Sequence, residues 1–180
     1  MREVVLSQER NEARIEPVAE SDVERLVELA REIWRAHYPS IIDSAQIEYM
    51  LAQRYDPQVV RGELGRDGIW WDKLMAGEEM AGFASYFLTG VPGEMKLDKL
   101  YVHPRHQRRG YGGRMIARAC AAACERDCGR LVLAVNRGNR GAIDAYLKHG
   151  FRVAGAVVKD IGAGFVMDDY LMEKSVMGDG

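Results

Sequence analysis

Apolar residues recur at helical spacing in the first third of the chain. Apolar positions at intervals of three or four residues predict a helix with one buried face, which comprises Val23, Leu26, Val27, Leu29, Ala30, Ile33 and Trp34. Ser21 followed by Glu24 predicts a capping box at the start of this helix. Asp43 followed by Gln46 predicts the start of a second helix in the same way.

From residue 69 the apolar period changes to two, which predicts strands, and two further helices are predicted at residues 110–128 and 140–149. The predicted strands cover residues 14–18, 69–76, 80–88, 95–102, 131–135, 151–159 and 165–172. The strand at 131–135 is apolar at nearly every position, which is typical of a strand that pairs in parallel. This order predicts an α/β (α+β mixed) fold: a central mixed, mostly antiparallel β-sheet of about six to seven strands, flanked by helices on both faces.

Length and composition favour a single domain over residues 1–180, with residues 1–10 as a candidate flexible arm. Hydrophobic residues make up 47% of the chain and charged residues 29%, as in an ordinary globular protein. The net charge of −2 gives no general attraction to nucleic acid or to an anionic membrane. The sequence contains neither an apolar run long enough to span a membrane nor the apolar core of a secretory leader. We therefore expect a cytoplasmic protein with no nucleic-acid and no membrane partner.

Three cysteines, Cys120, Cys124 and Cys128, recur every four residues on the predicted helix 110–128. This spacing places them along one face, where reduced cysteine packs as a small apolar residue. A zinc site would need further ligands close by, and a disulfide between successive helical turns is geometrically awkward. We expect buried, reduced thiols and no metal.

The most informative segment, residues 97–119, runs from a strand through a short basic loop into a helix. At its centre, residues 107–113 read Gln-Arg-Arg-Gly-Tyr-Gly-Gly and form what we call the glycine loop. Glycines let the backbone approach a ligand closely, and the N–H groups at a helix start favour an anion. A tight turn without any ligand would explain the glycines alone. The spacing fits neither a dinucleotide-binding loop nor a P-loop.

The glycine loop resembles the pyrophosphate loop of the GNAT superfamily of N-acetyltransferases, whose pattern is Gln/Arg-x-x-Gly-x-Gly/Ala. Gln107, Gly110 and Gly112 match the pattern, and residues 100–104 match the strand that precedes it. The resemblance implies the GNAT fold and a loop that binds the pyrophosphate of acetyl-CoA. The cofactor-binding residues implied in this segment are Leu100, Tyr101, Val102, Gln107, Arg108, Arg109, Gly110, Tyr111, Gly112 and Gly113.

A second motif extends the resemblance over residues 14–172. Family members carry an Asn at the end of the fifth strand, a second Asn, an Ala, a Tyr and a closing Gly-Phe. The matching residues are Asn136, Asn139, Ala142, Tyr146, Gly150 and Phe151. The resemblance implies that the first three complete the cofactor site, with Asn136 holding the pantetheine amides.

Acetyl transfer from a thioester to an amine needs a neutral amine, a polarised carbonyl and a proton for the departing thiolate. The resemblance implies that a backbone N–H of strand 100–102 polarises the carbonyl. Tyr146 is the predicted general acid, since its reference pKa of about 10 exceeds the value of about 8.5 for a thiol; a core tyrosine is the alternative. Family members often have a glutamate that acts as the general base, and Lys96 stands at that position in this chain. Asp98 is therefore the predicted general base, with Glu94 or solvent as alternatives.

The first two helices frame the acceptor cleft in the family, which makes His37, Tyr38 and Tyr49 the predicted acceptor-binding residues. Ordinary packing at a helix–loop corner explains them equally well. Asp168 and Asp169 either bind a cationic acceptor or form a polar strand edge.

The resemblance implies an acetyl-CoA-dependent N-acetyltransferase that moves acetyl directly to a primary amine. The sequence leaves open whether the acceptor is a small amine, an antibiotic-like amine or a peptide or protein amine. The alternative function is a non-catalytic acyl-CoA-binding regulatory domain. Acetyl-CoA is the expected cosubstrate, and a homodimer is expected by analogy only.

Overall fold

The computed structural model describes residues 13–177. The predicted arm at residues 1–10 lies outside this part of the chain. The elements, in chain order, are β1 (Ala13–Pro17), α1 (Val23–His37), α2 (Ser44–Arg54), α3 (Pro57–Leu64), β2 (Ile69–Ala76), β3 (Glu79–Leu88), β4 (Glu94–Val102), α4 (Tyr111–Cys124), β5 (Arg130–Asn136), α5 (Arg140–Lys148), β6 (Arg152–Gly162) and β7 (Phe165–Ser175).

The strands form one seven-stranded sheet in the order β1-β2-β3-β4-β5-β7-β6. The pairing is antiparallel throughout except between β4 and β5, which are parallel. Helices α4 and α5 pack on one face of the sheet, and α1, α2 and α3 pack on the other. The predicted mixed, mostly antiparallel sheet with helices on both faces is confirmed.

The parallel pair β4–β5 is short. Its ladder joins only Glu94–Lys96 to residues 130–132, although β4 continues to Val102 and β5 to Asn136. A register shift between β3 and β4 also leaves Asp98 as an extra residue, a β-bulge that bends β4. The two strands therefore diverge at the centre of the sheet, and we call the space between them the β4–β5 cleft.

The predicted capping box at Ser21 and Glu24 is wrong. A 3-10 turn over residues 20–22 precedes α1, and the Asp22 carboxylate accepts from the N–H of Ala19 (2.8 Å). The same carboxylate forms an ion pair with Lys73 of β2 (2.7 Å). This tertiary contact fixes the turn and starts the helix at Val23.

The predicted cap at the start of α2 is confirmed, because the Asp43 side chain accepts from the N–H of Gln46 (2.8 Å). The Gln46 amide does not complete a capping box. It donates to the carbonyl of Val166 (2.9 Å) and so ties α2 to β7.

Helix α4 ends at Cys124, four residues before the predicted end at residue 128. Asp127 takes a left-handed conformation (φ 56°), and the N–H of Cys128 bonds back to the carbonyl of Ala123 (2.9 Å). Only Cys128 is fully buried, while Cys120 is half-buried and Cys124 is exposed. The expectation of three buried thiols on one helix face is therefore wrong. Within residues 13–177, none of the helices combines the length and the apolar character needed to cross a membrane.

Candidate active site

A cavity of about 430 Å³ occupies the β4–β5 cleft. It lies between α1 and α2 on one side and α5 on the other, and β6 and β7 close one end. Predicted site residues in its wall are Tyr38, Tyr49, Asp98, Leu100, Tyr101, Asn136, Asn139, Ala142 and Tyr146. The fold thus brings part of β4, the second motif and part of the predicted acceptor site to one cavity, whereas residues 107–113 of the glycine loop are not among those that line it.

The glycine loop leaves the end of β4 along a fixed path. The side-chain amide of Gln107 donates to the carbonyl of Val102 (3.0 Å), which anchors the loop to the strand. Arg108 and Gly110 then adopt left-handed conformations, with φ of 61° and 76°. That region is uncommon for a non-glycine residue and often marks a functional site.

The start of α4 has the properties of an anion site. Its first intrahelical bond runs from the N–H of Arg114 to the carbonyl of Gly110 (3.1 Å). The N–H groups of residues 111–113 therefore have no partner within the helix. A Cβ added at Gly110 or Gly112 would meet no atom of the described chain within 4 Å, so this part of the structure leaves the backbone open to an approaching ligand. These features fit a pyrophosphate at the helix start.

Gly113 serves packing. A Cβ on this residue would lie 2.6 Å from Cε1 of His149, just after the end of α5. The glycine therefore allows the start of α4 and the end of α5 to approach closely.

Beyond Lys96, the edge of β4 that faces β5 has no partner strand within residues 13–177. Backbone groups on this edge are available to a bound molecule, because a sheet edge exposes unpaired N–H and C=O groups. Leu100 and Tyr101 lie on this part of β4 and line the cavity. Val102 packs instead against the core beneath α4.

The turn between β5 and α5 is built by its two asparagines. The Asn136 side-chain oxygen accepts from the N–H of Gly138 (2.8 Å). The Asn139 side-chain oxygen caps α5 through the N–H of Ala142 (3.4 Å) and lies 3.1 Å from Nε2 of His37. His37 therefore contacts a residue of the cavity wall, Asn139, but does not line the cavity itself.

Tyr146 lies on α5 and faces the cavity. Its ring packs edge-on against Phe151 at 5.5 Å between centroids. Burial raises the pKa of Tyr146 above its ordinary value. The phenol is therefore neutral at physiological pH and holds its proton.

The carboxylate of Asp98 forms ion pairs with neighbouring cations. Its Oδ2 lies 2.9 Å from Arg54 and 2.7 Å from Lys99, and its Oδ1 lies 3.8 Å from Lys96. Burial alone would raise the pKa of Asp98, but the charges of Arg54 and Lys99 outweigh burial and lower this pKa to about 2. A carboxylate with so low a pKa is a weak base. The assignment of Asp98 as general base stays a prediction that its electrostatic surroundings do not favour.

Asp169 has the opposite surroundings. It lines the cavity from β7 with 9% of its surface exposed, and its buried Oδ1 has no hydrogen-bond partner within the described chain. Burial raises its pKa, although the charges of Lys96 and Arg54 lower it in part. Its neighbour Asp168 is half exposed and forms an ion pair with Arg137 (3.4 Å). The sequence left the roles of these two acids open, and their strand positions separate them.

Two tyrosines of the predicted acceptor site also line the cavity. The Tyr38 hydroxyl lies 3.1 Å from that of Tyr101, which joins α1 to β4 across the cleft. The Tyr49 hydroxyl donates to the carbonyl of Ile161 (2.7 Å), which joins α2 to the end of β6. Burial raises the pKa of Tyr38 and of Tyr101, so both phenols stay neutral.

The match to known proteins agrees with this geometry. The model of the acetyltransferase (GNAT) family matches residues 23–151, which include both motifs and the β4–β5 cleft. The chain belongs to the GNAT family. The matched range contains the glycine loop and Asn136, Asn139 and Tyr146, whose roles in binding and catalysis stay predictions.

Individual relatives of this GNAT protein are distant. It is 27% identical over 138 residues to a spermidine N(1)-acetyltransferase of Thermoplasma acidophilum, covering 73% of this chain and 83% of the relative. Its fold resembles the PaiA N-acetyltransferase of T. acidophilum, solved in complex with coenzyme A, with a TM-score of 0.78, 24% identity and coverage of 91% and 99%. It also resembles a GCN5-related N-acetyltransferase of Rhodopseudomonas palustris, with a TM-score of 0.76, 20% identity and coverage of 90% and 94%.

Proposed function

We propose that this GNAT protein transfers acetyl from acetyl-CoA directly to a primary amine of a small acceptor, with the reacting atoms in the β4–β5 cleft. The observation that carries the proposal is the arrangement of the cleft. Within residues 13–177, a strand edge without a partner and a protonated phenol line one cavity, and the strand that provides this edge leads through the glycine loop into the open helix start.

The chain's own groups would hold the cosubstrate at both ends. The N–H groups at the start of α4, with the exposed Arg108 and Arg109, would bind the pyrophosphate. The unpaired edge of β4 and the amide of Asn136 would bind the pantetheine arm. When bound, acetyl-CoA supplies an activated acetyl thioester.

The backbone and side chains of the cleft would then assist acetyl transfer and the proton transfer that accompanies it. The amine nitrogen attacks the carbonyl carbon, and a new C–N bond replaces the C–S bond. A backbone N–H of residues 100–102 would stabilise the charge that develops on the carbonyl oxygen. Tyr146 would give its proton to the departing thiolate and regain one from solvent.

The attacking amine must lose a proton, and two carboxylates compete for this role. Asp98 is held ionised by Arg54 and Lys99, which makes it a weak base. Asp169 has a raised pKa and an unsatisfied oxygen in the cavity wall. We therefore assign the contact with the acceptor ammonium to Asp169, and the proton leaves through this group or through water beside it.

The size of the cavity supports a small acceptor. About 430 Å³ lies within the usual range for small-molecule sites. The relative named as a spermidine N(1)-acetyltransferase also acts on a small amine, as its name states.

Two measurements test the proposal. Calorimetric titration with acetyl-CoA should give saturable binding to one site per chain. Thiol release from acetyl-CoA, corrected for hydrolysis, should increase with one or more members of an amine panel. Absence of acetyl-CoA binding would refute the proposal. Binding without amine-dependent thiol release would favour the non-catalytic acyl-CoA-binding alternative.

A further inference from the structure

The wall of the cavity carries charges of both signs. Three cationic residues and two acidic residues line it, which we call the acceptor wall: Arg54, Lys96, Asp98, Lys159 and Asp169. A site built for a polycation would be expected to carry an excess of carboxylates, because like charges repel strongly where water is excluded. The acceptor wall has an excess of cations.

The two acids are not equivalent. Asp98 contacts Arg54, Lys99 and Lys96 within the protein, so its charge is already compensated. Asp169 has a buried oxygen with no hydrogen-bond donor among the described residues. A buried carboxylate oxygen without a donor is costly unless a ligand satisfies it. Because Oδ1 has almost no accessible surface, one ammonium group of the acceptor would contact the other carboxylate oxygen and compensate the charge of the group.

The cations are also not all compensated. Lys159 on β6 is exposed, and no carboxylate of residues 13–177 lies within 4.0 Å of its ammonium group. Lys96 has only a loose contact with Asp98, at 3.8 Å, and this acid is shared with two closer cations. Lys96 and Lys159 therefore offer positive charge to a bound molecule in the same cavity that contains Asp169.

We propose that the acceptor is an amine that also carries a carboxylate. Asp169 would bind its ammonium group, and Lys96 and Lys159 would bind its carboxylate. This inference rests on the proposed function and names the substrate class for that site. It excludes the polyamines as preferred acceptors, since their second ammonium group would face these lysines.

The test compares amino acids with amines that lack only the carboxylate. The pairs are glycine with methylamine, γ-aminobutyrate with propylamine, and L-lysine with cadaverine, and spermidine serves as the polycation. Binding is measured by calorimetry on the full chain saturated with CoA, so that the readout does not depend on turnover. We expect at least one amino acid to bind about tenfold or more tightly than its matched amine and than spermidine.

Variants locate the effect. Lys96→Gln and Lys159→Gln should each reduce the preference for the amino acid several-fold, while Asp169→Asn should weaken both members of a pair. Lys148→Gln, an exposed position on α5 outside the cavity, is the matched control and should preserve the preference. CoA affinity should stay unchanged in all four variants.

The inference is overturned if every amine binds at least as tightly as its matched amino acid, or if spermidine binds at least as tightly as the amino acids. It is also overturned if no amino acid binds at about 10 mM to the CoA complex. In both cases the proposed function survives as long as CoA and acetyl-CoA bind. Loss of cosubstrate binding itself would instead refute the proposed function.

Discussion

Two aspartates in one cavity wall show how local surroundings set the chemistry of a residue. Asp98 sits on the β4 bulge among cations and stays ionised, whereas Asp169 is buried on β7 without a donor. The pKa of Asp98 is lowered and the pKa of Asp169 is raised from the same ordinary value of 3.8. The first carboxylate stabilises the fold, and the second is available to a ligand.

Replacing Asp98 by Asn should destabilise the protein at neutral pH. The folded-state pKa of about 2 is below the unfolded value of 3.8, so the carboxylate stabilises the fold above about pH 4 and this stability is lost as the pH falls towards 2. The difference in pKa corresponds to about 2 kcal/mol. Urea unfolding should show this loss at pH 7, and the difference in the free energy of unfolding between variant and wild type should narrow as the pH is lowered.

The half-exposed Asp168 provides the control, since Asp168→Asn should change stability by less than about 0.5 kcal/mol.

Replacing Asp169 by Asn should have the opposite effect on stability. The folded-state pKa is raised above 3.8, so ionisation costs the folded protein stability once the pH exceeds that value, and the cost persists at neutral pH. The neutral amide removes this cost, and the free energy of unfolding at pH 7 should rise while amine binding falls. A variant that unfolds more easily than wild type at pH 7 would contradict this account.

At the scale of the elements, the glycine loop combines two different uses of glycine. Gly112 has open space around its missing side chain, whereas Gly113 is in contact with His149. The first fits close approach of a ligand to the backbone, and the second fits close packing of α4 on α5.

Alanine at these two neighbouring positions should separate binding from stability. Gly112→Ala should leave stability unchanged or raise it by up to about 1 kcal/mol, because alanine favours a helix over glycine, and it should weaken acetyl-CoA binding about tenfold. Gly113→Ala should lower stability by about 1 kcal/mol or more, because the added carbon would lie 2.6 Å from the His149 ring. Thermal unfolding and acetyl-CoA titration of both variants check the prediction. Equal effects of the two changes on both measurements would contradict it.

Local signals predicted those elements that local contacts control. The predicted cap at Asp43 uses a hydrogen bond within three residues, and this bond is present. The start of α1 and the end of α4 were misplaced. The start of α1 depends on an ion pair between Asp22 and Lys73, which are far apart in sequence. The end of α4 depends on the left-handed backbone conformation of Asp127.

At the scale of the whole molecule, the alternation of strands and helices was enough to predict the mixed sheet, and the two motifs were enough to predict the family. The acceptor wall was harder to predict. Arg54, Lys96, Lys159 and Asp169 come from four different elements. The sheet order β4-β5-β7-β6 brings the last three to one cavity, and helix α2 brings Arg54 to the same cavity. A homodimer and a cytoplasmic location stay predictions.

We infer that the β4–β5 cleft catalyses acetyl transfer and that Tyr146 protonates the leaving thiolate. Tyr146→Phe keeps the ring that packs on Phe151 and removes only the hydroxyl, so cosubstrate binding should be preserved.

The most direct test is the rate of thiol release by Tyr146→Phe, measured at saturating acetyl-CoA and amine beside the Kd for acetyl-CoA. We expect kcat to fall about a hundredfold or more, the usual contribution of a general acid, while this Kd changes less than about threefold. An unchanged kcat would show that Tyr146 does not supply the proton. A loss of acetyl-CoA affinity equal to the loss of rate would show that the hydroxyl serves binding and not catalysis.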